Sequence, residues 1–90
     1  MKLTHPNMTK RIRGVCRQRG LVLDHLHASL LGSLYRTFRP NKTAWQVARL
    51  MAATNLPRFD GPTIEERTNF MARLVDDLDA GYWCDTLEYD

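Results

Sequence analysis

Apolar residues recur at helical spacing along the chain, and glycine and proline divide the pattern into four segments. No stretch alternates apolar and polar residues in the way that a strand would. The first segment, residues 8–19, has apolar positions that fall on one face of a helix. Gly20 then suits a helix end, because a residue without a Cβ adopts the left-handed conformation without strain. These apolar positions are Met8, Ile12, Val15 and Cys16.

The second and third segments are more strongly apolar. Residues 21–38 carry a stripe wide enough to contact two neighbouring helices, and the helix should end before Pro40. Residues 44–54, capped by Thr43 or Asn41, are apolar around most of the helix, so we expect them to be largely buried. The stripe of the second segment comprises Leu23, Leu26, Leu30, Leu31, Leu34, Tyr35 and Phe38. The apolar positions of the third are Trp45, Val47, Ala48, Leu50, Met51 and Ala52.

The fourth helix follows a loop over residues 55–62, which we expect Leu56 and Phe59 to pin to the core. Thr63 and Glu66 form a capping box, in which each side chain bonds the amide of the other residue. The apolar stripe of this helix comprises Ile64, Met71, Leu74, Val75 and Leu78, and the helix should end at Ala80, before Gly81. The sequence therefore predicts an all-α fold, a compact bundle of about four helices in a single domain, residues 1–90.

Charge is divided unevenly along the chain, whose overall net charge is +3. Residues 1–58 contain eleven basic residues and one acidic residue, a net charge of +10, whereas residues 59–90 contain two basic and nine acidic residues, a net charge of −7. Such asymmetry indicates an electrostatic partner, or neutralisation of one part by the other within the fold. We expect the two parts to form separate docking faces at opposite ends of the molecule.

The residue types used in catalysis are present but not in catalytic patterns. Cys16 and Cys84 belong to no metal or redox motif and are interpreted as free thiols. His25 and His27 lie two positions apart on a helix and therefore point in nearly opposite directions. Asp24 could orient the ring of His27, but no serine or cysteine nucleophile has a local position to complete a triad. The sequence thus predicts a protein that is not an enzyme and has no catalytic residues, metal site or cofactor.

Membrane association is also not predicted. The N-terminal residues lack the apolar segment of a signal peptide, and the longest run without charged side chains, residues 25–35, is too short to cross a bilayer. We therefore expect a cytoplasmic protein. A calcium site is not indicated at the acidic cluster of the fourth helix, because the ligand spacing of a calcium loop is missing there.

Basic residues suggest contact with nucleic acid or with an acidic partner at two places. One is the outer face of the first helix, and the other is a helix-turn-helix-like pair within residues 21–54, joined by a short turn. The second helix of that pair would present a polar stripe to a groove, with two arginines of the pair near phosphates. The residues predicted for these contacts are Lys10, Arg13, Arg17, Arg36, Arg39, Lys42, Gln46 and Arg49.

An acidic aromatic C-terminal tail, residues 82–90, is the second feature that indicates binding. Such a tail either packs back onto the helices or reaches a partner, because aromatic residues are enriched at the centres of interfaces. Together with the acidic end of the fourth helix it would anchor the protein in a basic groove. The residues predicted for this contact are Asp76, Asp77, Asp79, Tyr82, Trp83 and Tyr89.

These features together predict a non-catalytic regulator that docks on a protein or nucleoprotein partner through basic and acidic faces. A DNA-binding regulator that uses the helix pair at residues 21–54 is the alternative. In its size and lack of motifs the chain resembles the inhibitors and adaptors encoded by phages and mobile elements. The four apolar stripes could close within one chain or between two copies as a homodimer.

Overall fold

The computed structural model describes residues 5–59 and 61–80, and within these ranges the chain forms four α-helices and no strand. The helices are α1 (His5–Gln18), α2 (His25–Phe38), α3 (Ala44–Ala52) and α4 (Ile64–Ala80). Their Cα radius of gyration is 12.0 Å, close to the value of about 12 Å expected of a compact chain of this length. The all-α prediction is confirmed, whereas the predicted tail lies outside the described residues.

α1 ends at Gln18, one residue before its predicted end, and Gly20 follows as the predicted stop. Gly20 has a φ of +92°, in the left-handed region that favours glycine. The amide of Leu21 donates to the carbonyl of Cys16 at 2.8 Å, and the amide of Gly20 donates to that of Arg17 at 3.0 Å. These bonds use carbonyl groups that the last turn of a helix otherwise leaves without partners. A side chain at Gly20 would therefore strain the turn between the first two helices.

α2 begins at His25, four residues later than the sequence pattern predicted. Asp24 has an extended backbone, and its carboxylate accepts a hydrogen bond from the amide of His27 at 2.8 Å, which makes Asp24 the N-cap. This backbone hydrogen bond lowers the pKa of Asp24 below its usual value. Leu21 and Leu23 are buried from the non-helical segment before the cap. The apolar stripe predicted the burial of Leu23 correctly but did not include Leu21, and the helical conformation predicted for both residues is wrong.

Reciprocal capping boxes open both of the remaining helices. At α3 the hydroxyl of Thr43 accepts from the amide of Gln46 at 3.2 Å, and the side-chain oxygen of Gln46 accepts from the amide of Thr43 at 2.9 Å. At α4 the predicted box between Thr63 and Glu66 is confirmed, with distances of 3.1 and 2.9 Å. α3 ends at Ala52, two residues before its predicted end. Local side-chain chemistry therefore sets three of the helix starts, counting the Asp24 cap of α2.

The helices pack chiefly as two pairs, α1 against α2 and α3 against α4. In the first pair Gly32 of α2 faces α1, because a Cβ at that position would be in ordinary van der Waals contact with Met8 and Ile12, at 3.4 Å from Sδ and 3.5 Å from Cδ1. The loop before α4 is pinned as predicted, since Phe59 is buried with its ring centre 5.1 Å from that of Phe70. The apolar stripes of all four helices meet in one core.

Several apolar residues predicted to be buried are instead exposed. Trp45 is 47% exposed and Leu50 is also exposed, so the prediction that α3 is largely buried is wrong. α3 packs mainly against α4, and one neighbouring helix covers only part of its surface. Leu26, at 72% exposure, and Leu30, at 44%, likewise fall outside the core, as does Ile64. The protein therefore presents more apolar surface than the sequence pattern indicated.

Burial of a thiol makes the stability of the protein depend on pH in the alkaline range. Cys16 has no exposed surface, and burial raises the pKa of its thiol from 9.0 to about 12. Between these values the unfolded chain loses the thiol proton and the folded chain keeps it, so the free energy of unfolding should fall as pH rises above 9. We expect a contribution of roughly 1.4 kcal/mol per pH unit.

Denaturant titrations of the wild type and of Cys16→Ala at pH 8, 9, 10 and 11 measure this effect. At pH 8, where the thiol is protonated in both states, the substitution will lower the stability because it leaves a cavity. The informative quantity is the slope of stability against pH, which should be shallower in the variant, because only the wild type keeps the buried thiol proton. Parallel curves for the two proteins would show that Cys16 ionises equally in the folded and unfolded states.

Candidate functional site

Three basic residues of α1 line one open groove. Lys10, Arg13 and Arg17 are spaced so that they share a face of the helix, and Gly14 lies between them without a side chain. The groove has a volume of about 240 Å³. Lys10 and Arg17 are exposed, and no carboxylate is found among the described residues that line the groove. The structure thus brings together all three residues that the sequence predicted for this helix face.

Arg13 connects this groove to a second one. Its Nε donates a hydrogen bond of 3.2 Å to the carbonyl of Leu23, which holds the side chain between α1 and the start of α2. The second groove, of about 350 Å³, contains Arg58, a residue that the sequence analysis did not single out. Its lining residues are Arg13, Val22, Leu23, Asp24, Pro57 and Arg58. We call the four cations of the two grooves, Lys10, Arg13, Arg17 and Arg58, the basic strip.

Arg58 contributes to the basic strip from a strained backbone. Its φ of +63° is the only positive value among the non-glycine residues that the structure describes. The left-handed region costs a residue with a Cβ about 1–2 kcal/mol, and such strain is concentrated at functional positions. The basic residue and the neighbouring Pro57 were visible in the sequence, but the conformation that turns this loop towards Arg13 depends on tertiary packing.

Exposed apolar residues lie along the chain next to the basic strip. Val22 is exposed in the same groove as Arg58, and Leu26 and Leu30, one turn apart on α2, are exposed as well. We call Val22, Leu26 and Leu30 the apolar edge. A surface that combines arginines with exposed aliphatic side chains has the composition of a protein interface core and its rim.

Asp24 and His27 form the predicted contact, with Nδ1 of the ring 2.7 Å from a carboxylate oxygen. The same carboxylate oxygen accepts the amide hydrogen of His27, so the pair belongs to the N-cap of α2. Asp24 therefore stabilises the start of a helix. Among the described residues, no group of three or more histidine, cysteine, aspartate or glutamate side chains could hold a metal ion.

The acidic end of α4 contacts the basic part of the chain at two points. Asp77 accepts from Arg19 at 3.1 Å, and Asp79 accepts three hydrogen bonds from Arg39, at 3.2 and 3.0 Å from Nε and 2.9 Å from Nη2. The expectation that the two charged parts lie at opposite ends of the molecule is therefore wrong for these residues. Both ion pairs are made by the last turn of α4. Asp76, the third predicted carboxylate, is exposed.

Asp79 also accepts a hydrogen bond from a tyrosine. The hydroxyl of Tyr35 donates to Oδ1 of Asp79 at 2.7 Å, while the guanidinium of Arg39 reaches the same carboxylate and the carbonyl of Lys42. Burial, and then the hydrogen bond to Asp79, raise the pKa of Tyr35 well above its usual value of 10. Arg39 and Asp79 were predicted as separate partner contacts, and the structure instead places them in one interhelical cluster.

The predicted reading stripe of the helix pair is exposed. Lys42, Gln46 and Arg49 line a groove of about 250 Å³ together with Leu50, and Arg36 is exposed in the last turn of α2. Gln46, however, uses its side-chain oxygen to cap α3, as described above. With Arg39 bonded to Asp79 as well, two of the five residues predicted for duplex contact have structural roles.

A further surface was not predicted. Trp45 and Ile64 line a groove of about 220 Å³ between the first turns of α3 and α4, together with Arg49 and two polar residues of α4. The sequence pattern assigned both apolar residues to the core because their spacing continues the apolar stripes of their helices. Only the way that α3 lies on α4 leaves these two side chains at the surface.

Tyr82, Trp83 and Tyr89 lie outside the described residues, so the predicted aromatic contact has no structural description. Within residues 5–59 and 61–80, no helix is both long enough and apolar enough to cross a membrane. Comparison with known proteins finds no matching family model, no matching curated protein and no matching solved structure. The function is therefore argued from the surfaces of the molecule itself.

Proposed function

We propose that this protein is a small non-catalytic regulator, of the inhibitor or adaptor type, that docks on an acidic surface of a protein or nucleoprotein partner. The basic strip is the docking surface. The observation that carries the proposal is the shared position of Arg13, which lines both grooves and so joins the cations of α1 to Arg58 in one surface. The four cations outnumber Asp24, the one carboxylate among the described residues that line the two grooves, so the surface attracts an acidic partner and orients it before contact.

The apolar edge favours a protein surface over a bare polyanion. Val22 lies in the groove between Arg13 and Arg58, so a partner that neutralises these arginines also covers an aliphatic side chain. Burying exposed aliphatic residues contributes about 25 cal/mol for each Å² of apolar surface removed from water. Phosphate groups alone would gain nothing from this contact, whereas the apolar side chains of an acidic protein would.

Binding also fits the chemistry of the basic strip better than catalysis does. Guanidinium and ammonium groups remain protonated at neutral pH, so they supply fixed charge and hydrogen-bond donors but not a proton acceptor. The histidine that has a carboxylate partner, His27, is held at a helix cap by Asp24. The surface therefore offers recognition of anionic groups, which is what an inhibitor or adaptor needs.

Two matched double variants test this proposal. Lys10→Ala with Arg17→Ala removes two exposed cations of the basic strip, and Arg36→Ala with Lys42→Ala removes two exposed cations elsewhere. Affinity capture from a lysate of the encoding organism, treated with nuclease, followed by a binding titration of the captured protein, should give at least a tenfold loss for the first variant only. Tenfold corresponds to about 1.4 kcal/mol of binding free energy.

The two variants should keep the circular dichroism spectrum and melting temperature of the wild type, because all four side chains are exposed. Equal affinity of the captured partner for the wild type and for the Lys10 and Arg17 variant would reject the basic strip as the docking surface. Loss of capture in both variants to the same extent would point to a general effect of net charge, and would reject a localised site.

A second candidate function is duplex DNA binding through the helix pair at residues 21–54. The observation that favours it is the exposed groove that contains Lys42 and Arg49. In this case Arg36→Ala with Lys42→Ala, the control above, becomes the variant that binds the duplex more weakly. The logarithm of the duplex affinity should fall with the logarithm of the salt concentration, with a slope of about 0.9 for each phosphate contacted. Absence of duplex binding at low salt would exclude this function while leaving the docking proposal intact.

A further inference from the structure

A tryptophan and an isoleucine lie at the surface where α3 and α4 begin. Trp45 is the second residue of α3 and Ile64 is the first residue of α4, and each is about half exposed. Both side chains line the same groove. Tryptophan is enriched at the centres of protein interfaces, where a few buried residues supply most of the binding free energy. The groove therefore offers an apolar centre for association.

The backbone that carries both side chains is held in place by local hydrogen bonds. Trp45 lies between Thr43 and Gln46, the two residues of the α3 capping box, and Ile64 lies inside the box that opens α4. The buried Thr68 lines the same groove and donates its hydroxyl hydrogen to the carbonyl of Ile64 at 2.7 Å. A surface that is already ordered loses less conformational entropy on binding.

Opposite charges line this groove without pairing to each other. Arg49 and Glu65 are both exposed, and within the described part of the chain neither side chain forms a hydrogen bond or an ion pair. A polyanion, or the acidic partner of the basic strip, would be attracted by Arg49 and repelled by Glu65. A groove with one charge of each sign is instead complementary to a second copy of itself.

Two-fold symmetry would bring these charges together. In a symmetric dimer the same surface lies on both sides of the interface, so a contact between two different residues occurs twice, once in each direction. Placing Arg49 of one copy against Glu65 of the other therefore forms two identical ion pairs. The same association covers Trp45 and Ile64 of both copies, because they line the groove with these charges.

We propose that two copies of this chain associate through the α3–α4 groove, with Trp45 and Ile64 at the centre and Arg49 of each copy paired with Glu65 of the other. The inference goes beyond the proposed function and does not rest on it, because none of the residues that line this groove belongs to the basic strip or to the apolar edge. Each dimer carries two basic strips, so self-association sets how many docking surfaces one particle presents.

The association should be weak. Five residues line the groove, whereas a standard interface has roughly 20–30 residues on each side. We therefore expect a dissociation constant of about 100 µM. Sedimentation equilibrium of the purified protein from about 10 µM to about 1 mM measures it, and the average mass should rise by mass action from that of one chain towards that of two.

A matched pair of truncations locates the surface. Ile64→Ala removes apolar side-chain surface from the centre of the groove and should weaken the association roughly tenfold. Leu26→Ala is the control, because it also truncates an exposed aliphatic side chain in the first turn of a helix, but outside the groove. This variant should associate as the wild type does. Circular dichroism checks that both variants keep their helices.

Charge reversals test the pairing of Arg49 with Glu65. Arg49→Glu places carboxylates against each other and Glu65→Arg places cations against each other, so each variant alone should associate at least tenfold more weakly than the wild type. An equimolar mixture of the two should associate about as tightly as the wild type, because both contacts of the mixed pair again join opposite charges. Each reversal changes the net charge of +3 by two, to +1 or +5, so overall charge does not draw the two variants together.

Several results would overturn the proposal. One is the mass of a single chain at every concentration, and another is a mixture of the charge variants that associates no better than either alone. Association weakened by Leu26→Ala but not by Ile64→Ala would place the second copy on the apolar edge. A protein that stays monomeric and binds a single-stranded oligonucleotide, with the binding lost in Trp45→Ala, would identify the groove as a nucleic-acid site, because bases stack on exposed aromatic side chains.

Discussion

Replacing Leu31 with alanine is expected to lower the free energy of unfolding by about 2–5 kcal/mol. Leu31 has no exposed surface and belongs to the core, and it lies on α2 next to Gly32, which faces Met8 and Ile12 of α1. Truncation removes buried methyl groups and leaves a cavity that the surrounding core fills only in part. Urea denaturation followed by circular dichroism measures the loss, and the slope of the transition should be unchanged because the same surface is exposed on unfolding.

Leu30→Ala is the matched control, since it makes the same chemical change one residue earlier. Leu30 is 44% exposed, so its removal should change the stability by no more than about 0.5 kcal/mol. Equal losses for the two variants would contradict the arrangement described here and would show that the apolar edge is covered. If the stability loss of Leu30→Ala then depended on protein concentration, a second copy of the chain would be what covers the apolar edge.

This pair of residues also shows where a sequence pattern stops being informative. Helical spacing predicted the stripe that contains Leu30 and Leu31, and the existence of α2 is confirmed. A stripe of seven apolar residues, however, is wider than the surface that one neighbouring helix covers. Which edge of the stripe is buried depends on where α1 and the other helices lie, and helical spacing does not specify that.

Helix boundaries could be predicted from the sequence where the chemistry of one or two local residues sets them. The start of α4 and the end of α1 were predicted from single residues, because the Thr63 and Glu66 box and the left-handed Gly20 are local chemistry. The start of α2 was predicted too early, since the apolar residues before Asp24 continue the helical spacing although they are not helical. Burial and helical conformation produce the same pattern over so short a stretch.

The candidate site likewise has a part that local sequence spacing predicts and a part that only the packed fold reveals. Lys10, Arg13 and Arg17 were predicted as a group and lie in one groove, because residues seven positions apart on a helix necessarily share a face. Arg58 reaches the same surface from a loop, and no spacing rule connects it with Arg13. Contacts between residues far apart in sequence require the packed fold, so Arg58 could not be added to the group from the sequence.

The acidic end of α4 was the least predictable part. Asp77 and Arg19 are 58 positions apart, and Asp79 and Arg39 are 40 positions apart. The division of charge along the chain suggested separate faces, but a helical bundle folds the chain back on itself and brings the basic ends of α1 and α2 to this end of α4. The amino-acid composition gives the number of charges but not their positions in the fold. In this protein, ion pairs within the fold neutralise part of the charge difference between residues 1–58 and 59–90.

Asp79→Ala and Asp76→Ala are expected to change the stability in opposite directions. Both carboxylates lie near the C-terminal end of α4, where the helix dipole disfavours negative charge, and both substitutions introduce a better helix former. These two effects alone would stabilise both variants. Asp79, however, also accepts hydrogen bonds from Tyr35 and Arg39, whereas Asp76 is exposed. We therefore expect Asp76→Ala to be neutral or slightly stabilising and Asp79→Ala to be destabilising.

The difference between the two variants should be about 1–2 kcal/mol, at the lower end for hydrogen bonds to a charged group because Asp79 is partly exposed. Equal stability of the two variants would show that the contacts of Asp79 add nothing. Tyr35→Phe combined with each variant isolates the bond, since its effect should be smaller in the Asp79→Ala background than in the Asp76→Ala background. The pKa of Tyr35 provides an independent readout, because it should fall towards its usual value once the carboxylate beside it is removed.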